Sequence, residues 1–145
     1  MGGIEIERVK ARAREIRENL GKIRHYAGLP DEEFFADERN LYTVMHLLLL
    51  TIEAVAGLCT HFLAKTARIA PTSYAECFEG LRQLGFVDED LAGRLVQMAR
   101  FRNLLLHRYW DVDEARVLRY ARENLGDFEA FLALAGRLVE EGLST

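Results

Sequence analysis

The chain has 145 residues, of which half are hydrophobic, 29% are charged and only two are proline. This length and composition fit one compact domain over residues 1–145 and exclude an intrinsically disordered protein. The net charge of −4 argues against indiscriminate binding to nucleic acids, whose phosphates attract basic proteins.

Apolar residues spaced three and four apart predict a first helix, which Gly28 and Pro30 end. The residues of this stripe are Ile6, Val9, Ala13, Ile16, Leu20, Ile23 and Ala27. Asp37 can cap a second helix from about Glu38 to Thr66. Because this second segment is apolar on nearly every face, we expect it at the centre of a helical bundle.

A membrane span is not expected within this apolar segment. Glu53 interrupts its most apolar run, which leaves it short of the roughly 18 uncharged residues that a span needs. The N-terminal segment is charged throughout and lacks the apolar stretch of a signal peptide. These features predict a cytoplasmic protein.

Three further segments complete the predicted bundle. Ser73 with Glu76 forms a capping-box pattern that opens a third helix, and Gly85 ends it. A fourth helix begins after Asp88 and loses its regularity near residues 107–110. Its stripe consists of Leu91, Leu95, Met98, Arg102 and Leu105 or Leu106.

The last segment, from Glu114 to about Leu143, is either one kinked helix or two, because Asn124 and Gly126 weaken its middle. No segment alternates polar and apolar residues with a period of two. The predicted fold class is therefore all-α, an antiparallel bundle of about five helices with short connections.

Neither a cofactor nor a metal is expected. Cys59 and Cys77 lie in apolar, helical contexts without CxxC spacing, which indicates reduced thiols in the core. The spacing of these cysteines and His61 matches no structural zinc site. The sequence also lacks a dinucleotide fingerprint and a phosphate-binding glycine loop.

The stretch RNLLLHRYW, Arg102 to Trp110, places polar residues around three consecutive leucines. Burying a charge among leucines is costly unless the charge is paired or used. Between Arg94 and Arg122 the chain has seven arginines and three acidic residues, so this part carries a charge of +4 and the remainder −8. The polar stretch therefore lies in the basic part of the chain.

Arg102 and His107 are candidates for cleaving the phosphodiester bond of RNA. Histidine titrates near neutral pH and can exchange protons with the 2′-OH and the leaving oxygen, while arginine binds the phosphate. The reaction needs both an acid and a base, yet the stretch holds one histidine. A two-fold homodimer would supply the second.

The spacing of Arg102 and His107 limits how they can meet. Five residues separate them, which places them about 140° apart on a helix. Either the helix frays near His107, or both residues line a groove between two subunits.

A structural interpretation of the same residues stays open. Arg102 could lie on the bundle surface or pair with Glu53, and His107 could interact with the helix dipole. Glu53 is predicted to pair with an arginine of the fourth helix, or to orient Arg102 in a catalytic groove. Asn103 shares a helix face with His107, and it could orient His107 or the phosphate, or be purely structural.

The string Arg-x4-His-x-Tyr, here RNLLLHRY, resembles the signature of the HEPN family. RNLLLHRYWDVD is similar to the HepT-like toxin branch, as are LYTVMHLLLLTIEAVAGLCTHFLA and APTSYAECFEGLRQLGFVDEDLAGRLVQMARF. The resemblance covers roughly residues 41–131. It implies a helical homodimer that cleaves RNA without a metal and acts as the toxin of a toxin–antitoxin pair.

The resemblance also implies roles for single residues. Arg102 and His107 become the catalytic pair, and Tyr109 becomes the residue that a minimal nucleotidyltransferase antitoxin adenylylates. AMP on Tyr109 would add charge and bulk beside His107 and repel an RNA phosphate.

Two other functions remain open. The chain could be a non-catalytic helical module that docks on a nucleotidyltransferase, with Arg102 binding phosphate. A plain dimerisation protein would instead keep Arg102 and His107 in intrachain contacts, away from any groove.

Overall fold

The computed structural model describes residues 4–107 and 111–144, and side-chain surroundings through residue 141. The described residues form seven helices and no β-strand, which confirms the predicted all-α class. The helices are α1 Ile6–Ala27, α2 Asp31–Ala36, α3 Glu38–Thr66, α4 Tyr74–Gln83, α5 Glu89–His107, α6 Glu114–Glu123 and α7 Leu125–Ser144.

Two features raise the number of helices above the predicted five. The short helix α2 lies where the sequence predicted only a chain break after Pro30. Its acidic first turn suits the positive end of a helix dipole. Only Phe34 of its six residues is buried, so α2 shows no periodic apolar stripe in the sequence. The last predicted segment divides at Asn124 into α6 and α7.

The predicted helix caps are present. Asp37 accepts a hydrogen bond from the Arg39 amide at 3.0 Å, and Ser73 accepts one from the Glu76 amide at 3.1 Å. A further cap lies at Asp113, which accepts hydrogen bonds from the Ala115 and Arg116 amides of α6. At the end of α4, Gly85 adopts a φ of +78°, a left-handed conformation that glycine takes without steric cost.

Helix α3 is the central helix of the bundle, as its composition predicts. Fourteen of its 29 residues are buried, and one hydrophobic cluster contains side chains from every described helix. By length and composition α3 could cross a membrane, but 67% of its most apolar 18-residue window is buried inside the bundle. Burial of this kind is typical of a core helix.

Helix α4 packs closely on α3 at Gly80. A Cβ atom added at Gly80 would lie 2.9 Å from Leu63 Cδ1, closer than packed carbon atoms approach. Nearby, Cys59 and Cys77 are buried and free, and the Cys59 thiol donates to the Cys77 carbonyl at 3.1 Å. These contacts hold α4 against α3.

The turn between α1 and α2 is held by Arg122 of α6. Its Nε donates to the Ala27 carbonyl and its Nη2 to the Leu29 carbonyl, both at 2.8 Å. Its Nη1 lies 2.6 Å from the Asp31 carboxylate. This one side chain therefore joins the end of α1 to the start of α2.

Candidate functional site

Arg102 occupies a position of the buried stripe of α5. Leu95 and Met98 precede it on this stripe and are fully buried, and Leu105 follows it. The Arg102 side chain itself is 22% exposed. Its stem therefore packs inside the bundle, while the guanidinium reaches the surface between α3 and α4.

Among the described residues, three side chains contact the Arg102 guanidinium. Glu53 Oε1 of α3 lies 3.7 Å from Nη2, which is the ion pair that the sequence predicted. Nη1 donates to Asn103 Oδ1 at 3.2 Å, and Cζ lies 4.5 Å from the centre of the Tyr74 ring. The buried Nε has no hydrogen-bond partner among the described residues.

Asn103 contacts Arg102 and lines the same pocket, so a role in orienting a phosphate stays a prediction. The two residues are neighbours in sequence, and their side chains meet at the exposed edge of α5.

Arg102 lines an open pocket of about 360 Å³. Its other lining residues are Thr60, Asn103 and residues 71–75, the loop and first turn of α4. Backbone amides at the start of a helix carry positive partial charge. An arginine next to hydroxyl groups and a helix N-terminus suits an anionic ligand. Arg102 therefore has both intrachain contacts and a face on an open groove.

His107 is exposed and is the last residue of α5. Since α5 is helical through His107, the helix does not fray before it, and the two side chains leave the helix about 140° apart. His107 is not among the residues that line the Arg102 pocket. Within one chain, the proposed catalytic pair therefore does not share a pocket.

Tyr109, the predicted modification site, lies outside the described residues. The same holds for its neighbours Arg108 and Trp110.

The basic region of the sequence is partly neutralised in the fold. Arg94 Nη1 lies 2.5 Å from the buried Asp127 carboxylate, and Arg94 also pairs with Asp90 at 3.0 Å. Arg122 pairs with Asp31, and Arg102 with Glu53. Of the six arginines of this region that the structure describes, these three are paired with carboxylates from outside the region, which offsets part of its positive charge.

The buried His61 of α3 has a structural contact. Its Nε2 accepts a hydrogen bond from the Glu5 amide at 3.1 Å, and burial lowers the pKa of its imidazole. Among the residues that the structure describes, no group of three or more His, Cys, Asp or Glu side chains is placed to hold a metal ion. His61 therefore serves to fix the start of α1.

Sequence reasoning missed Tyr74 as a partner of Arg102. Tyr74 precedes the buried residues Cys77, Phe78 and Leu81 on one face of α4, so periodicity places it on the bundle side. Periodicity does not show which residue of α5 it meets.

A family model described as "Ribonuclease HepT-like" matches residues 16–135. The chain belongs to the HepT-like ribonuclease family. The matched range includes Arg102, His107 and Tyr109, and it confirms the resemblance noted from the motif. No curated protein matches the chain.

Solved structures share the fold of this HepT-like chain. One is a tri-AMPylated HEPN toxin from Shewanella oneidensis in complex with an MNT antitoxin, with a TM-score of 0.83 and 22% identity over 90% of this chain and 97% of that chain. Another is YutE, a cytosolic protein of unknown function from Bacillus subtilis, with a TM-score of 0.84 and 15% identity over 100% and 97%.

A third solved structure is a toxin–antitoxin with AMP-PNP, with a TM-score of 0.80 and 21% identity over 88% of this chain and 97% of that chain. At these identities the likeness shows the fold.

Proposed function

We propose that this HepT-like chain is an endoribonuclease that cleaves RNA without a metal, with Arg102 and His107 as its catalytic pair. One observation carries the proposal. Arg102 occupies a core position of α5, yet its guanidinium lines an open pocket and its Nε has no partner among the described residues. A charge at a core position is costly unless it is paired or used, and a phosphate bound by the guanidinium at the pocket would use it.

In the proposed reaction, a His107 imidazole removes the proton from a ribose 2′-OH. The 2′-oxygen attacks the adjacent phosphorus, and the bond to the 5′-oxygen breaks as a second imidazole donates a proton to that oxygen. The products are a 2′,3′-cyclic phosphate and a 5′-OH. Arg102 stabilises the negative charge that builds on the phosphoryl oxygens.

A homodimer supplies the second histidine in this scheme. Arg102 and His107 point about 140° apart, so a groove between two copies can hold an arginine and a histidine together more readily than one chain can. Beside Glu53, α3 also presents surface that this chain leaves uncovered, including Tyr42, which is 56% exposed, and His46. Such a surface is available for a second copy.

We further propose that the chain is a cytoplasmic toxin whose antitoxin is a minimal nucleotidyltransferase. The HEPN toxin from Shewanella oneidensis, whose fold this chain shares, is tri-AMPylated in its complex with an MNT antitoxin. Here Tyr109 would accept AMP. The added phosphate would repel RNA from the neighbouring His107.

RNA cleavage in EDTA tests the catalytic assignment. We expect wild type to cut RNA to products with 2′,3′-cyclic phosphate ends, and Arg102→Ala and His107→Ala to lose this activity with unchanged circular dichroism. Arg100→Ala, on the same helix, and His25→Ala of α1 are matched controls, because both residues are exposed and lie outside the proposed site. A His107→Ala variant as active as wild type would sink the assignment.

The non-catalytic alternative has its own result. If unmodified wild type cuts none of a broad panel of RNAs, the chain is better explained as a module that docks on a nucleotidyltransferase. Binding of RNA that is lost in Arg102→Ala, without cleavage, would support that function.

Incubation with a minimal nucleotidyltransferase and ATP tests the modification. Mass spectrometry should show AMP on wild type but not on Tyr109→Phe. Tyr42→Phe removes an exposed tyrosine elsewhere and should be modified like wild type. Equal AMP incorporation in Tyr109→Phe would move the modified residue to another position.

A further inference from the structure

We infer that Tyr74 is a positioning residue, which holds the Arg102 guanidinium at the edge of the pocket. The effect on RNA cleavage rests on the proposed function, whereas the effect on the Arg102 side chain does not. The centre of the Tyr74 ring lies 4.5 Å from Arg102 Cζ, within the range of a cation–π contact.

The remaining contacts of Arg102 hold it less firmly. Glu53 Oε1 is 3.7 Å from Nη2, beyond hydrogen-bond distance. Asn103 is exposed, so water competes for its side-chain amide and weakens its hydrogen bond to Arg102. With Nε unpartnered among the described residues, the Tyr74 ring at 4.5 Å is the contact that positions the guanidinium.

The fold keeps this ring in place. Tyr74 is the first residue of α4, directly after the capping residue Ser73. The α4 helix is in turn held against α3 by the close approach at Gly80. The ring is therefore anchored to the bundle, and it lines the same pocket as Arg102.

Loss of the ring would free the guanidinium to turn toward the Glu53 carboxylate or into solvent. In either position Arg102 would meet a phosphate less often in the orientation that stabilises the transition state. Such a loss lowers kcat/KM mainly through kcat, because a misplaced group weakens transition-state binding more than substrate binding. We expect a decrease of about tenfold, the size of a partly buried cation–π contact.

The test compares Tyr74→Leu with Tyr74→Phe. Leucine keeps an apolar side chain and removes the ring, whereas phenylalanine keeps the ring and removes the hydroxyl. The signal of the Arg102 Nε–H group, from protein labelled with 15N at arginine Nε, reports the guanidinium directly. It is assigned by its absence in Arg102→Ala.

We expect slow hydrogen exchange of this Nε–H in wild type and Tyr74→Phe, and exchange at least tenfold faster in Tyr74→Leu. Exchange in Tyr74→Leu equal to wild type would overturn the inference, whether or not the protein cuts RNA. For cleavage, we expect Tyr74→Leu to lose about tenfold in kcat/KM and Tyr74→Phe to stay near wild type.

A double-mutant comparison separates positioning from a general loss of structure. Adding Tyr74→Leu to Arg102→Ala should lower the residual RNA binding no further, because the residue that Tyr74 positions is already gone. An equal loss from Tyr74→Leu in both backgrounds would mean that Tyr74 acts independently of Arg102, and this too would overturn the inference.

Discussion

Replacing Arg102 with methionine separates its contribution to stability from its contribution to function. Methionine keeps an unbranched apolar stem in the buried stripe of α5 and removes the charged guanidinium. The contacts of Arg102 allow the change in the free energy of unfolding to be worked out.

The contacts that are lost are weak. The ion pair to the half-exposed Glu53 is worth at most about 0.5 kcal/mol, and the exposed hydrogen bond to Asn103 about 0.5 kcal/mol. The cation–π contact with Tyr74 is worth about 1 kcal/mol, and a contact between the methionine sulfur and the ring replaces much of it.

The gain comes from removing Nε, which is buried without a partner among the described residues. Such an unsatisfied group costs about 1–3 kcal/mol. Losses and gain nearly cancel, so we expect the free energy of unfolding of Arg102→Met to lie within about 1 kcal/mol of the wild-type value. RNA cleavage should be abolished in the same protein.

Urea unfolding followed by circular dichroism measures the stability, and the EDTA cleavage assay measures the activity. Arg94→Met is the control, because it leaves the buried Asp127 carboxylate without its 2.5 Å partner and should cost about 2–3 kcal/mol. A loss above about 2 kcal/mol in Arg102→Met would refute this reasoning and identify Arg102 as a structural residue.

Three further predictions concern the bundle. Because burial lowers the pKa of His61, the His61 imidazole binds a proton more readily in the unfolded chain than in the folded one. The free energy of unfolding should therefore fall as the pH drops below about 6.5. Urea unfolding at several pH values should show this fall, and the fall should be smaller in His61→Gln. Gly80→Ala should unfold with a free energy about 1–2 kcal/mol below that of Gly93→Ala, because its Cβ displaces the buried Leu63 side chain while both variants gain helix propensity. Thermal unfolding of the two variants measures the difference. Asp113→Ala removes the cap of α6 and should lower the free energy of unfolding by about 1 kcal/mol. Asp113→Asn keeps a cap acceptor and should keep most of that stability. Equal losses in the two variants would contradict capping.

The helices that the sequence predicted are those whose signals are local. The stripe of α1 and the caps at Asp37 and Ser73 each depend on residues within one or two turns, and these elements are present. Helix α2 was not predicted because its single buried residue, Phe34, forms no periodic apolar pattern.

Contacts between distant segments were predictable in one case. A carboxylate in the apolar α3 needs a partner, and Arg102 was the arginine on the buried stripe of α5, so the Glu53–Arg102 pair could be expected. The partners of Arg94 and the aromatic neighbour of Arg102 depend on how α4, α5 and α7 pack, and sequence periodicity carries no information on this. The charge counted along residues 94–122 therefore exceeds the charge that remains after the ion pairs of Arg94, Arg102 and Arg122 form.

Arg122 has a consequence for the order in which the chain folds. It satisfies carbonyls at the end of α1 and a carboxylate of α2 that lie 91 to 95 positions earlier in the sequence. Closing so long a loop is slow compared with forming a helix. During synthesis, α1 and α2 leave the ribosome well before Arg122 does, so the junction between them stays open to water until α6 docks. The hydrogen bonds that fix this turn therefore form only once α6 has been made.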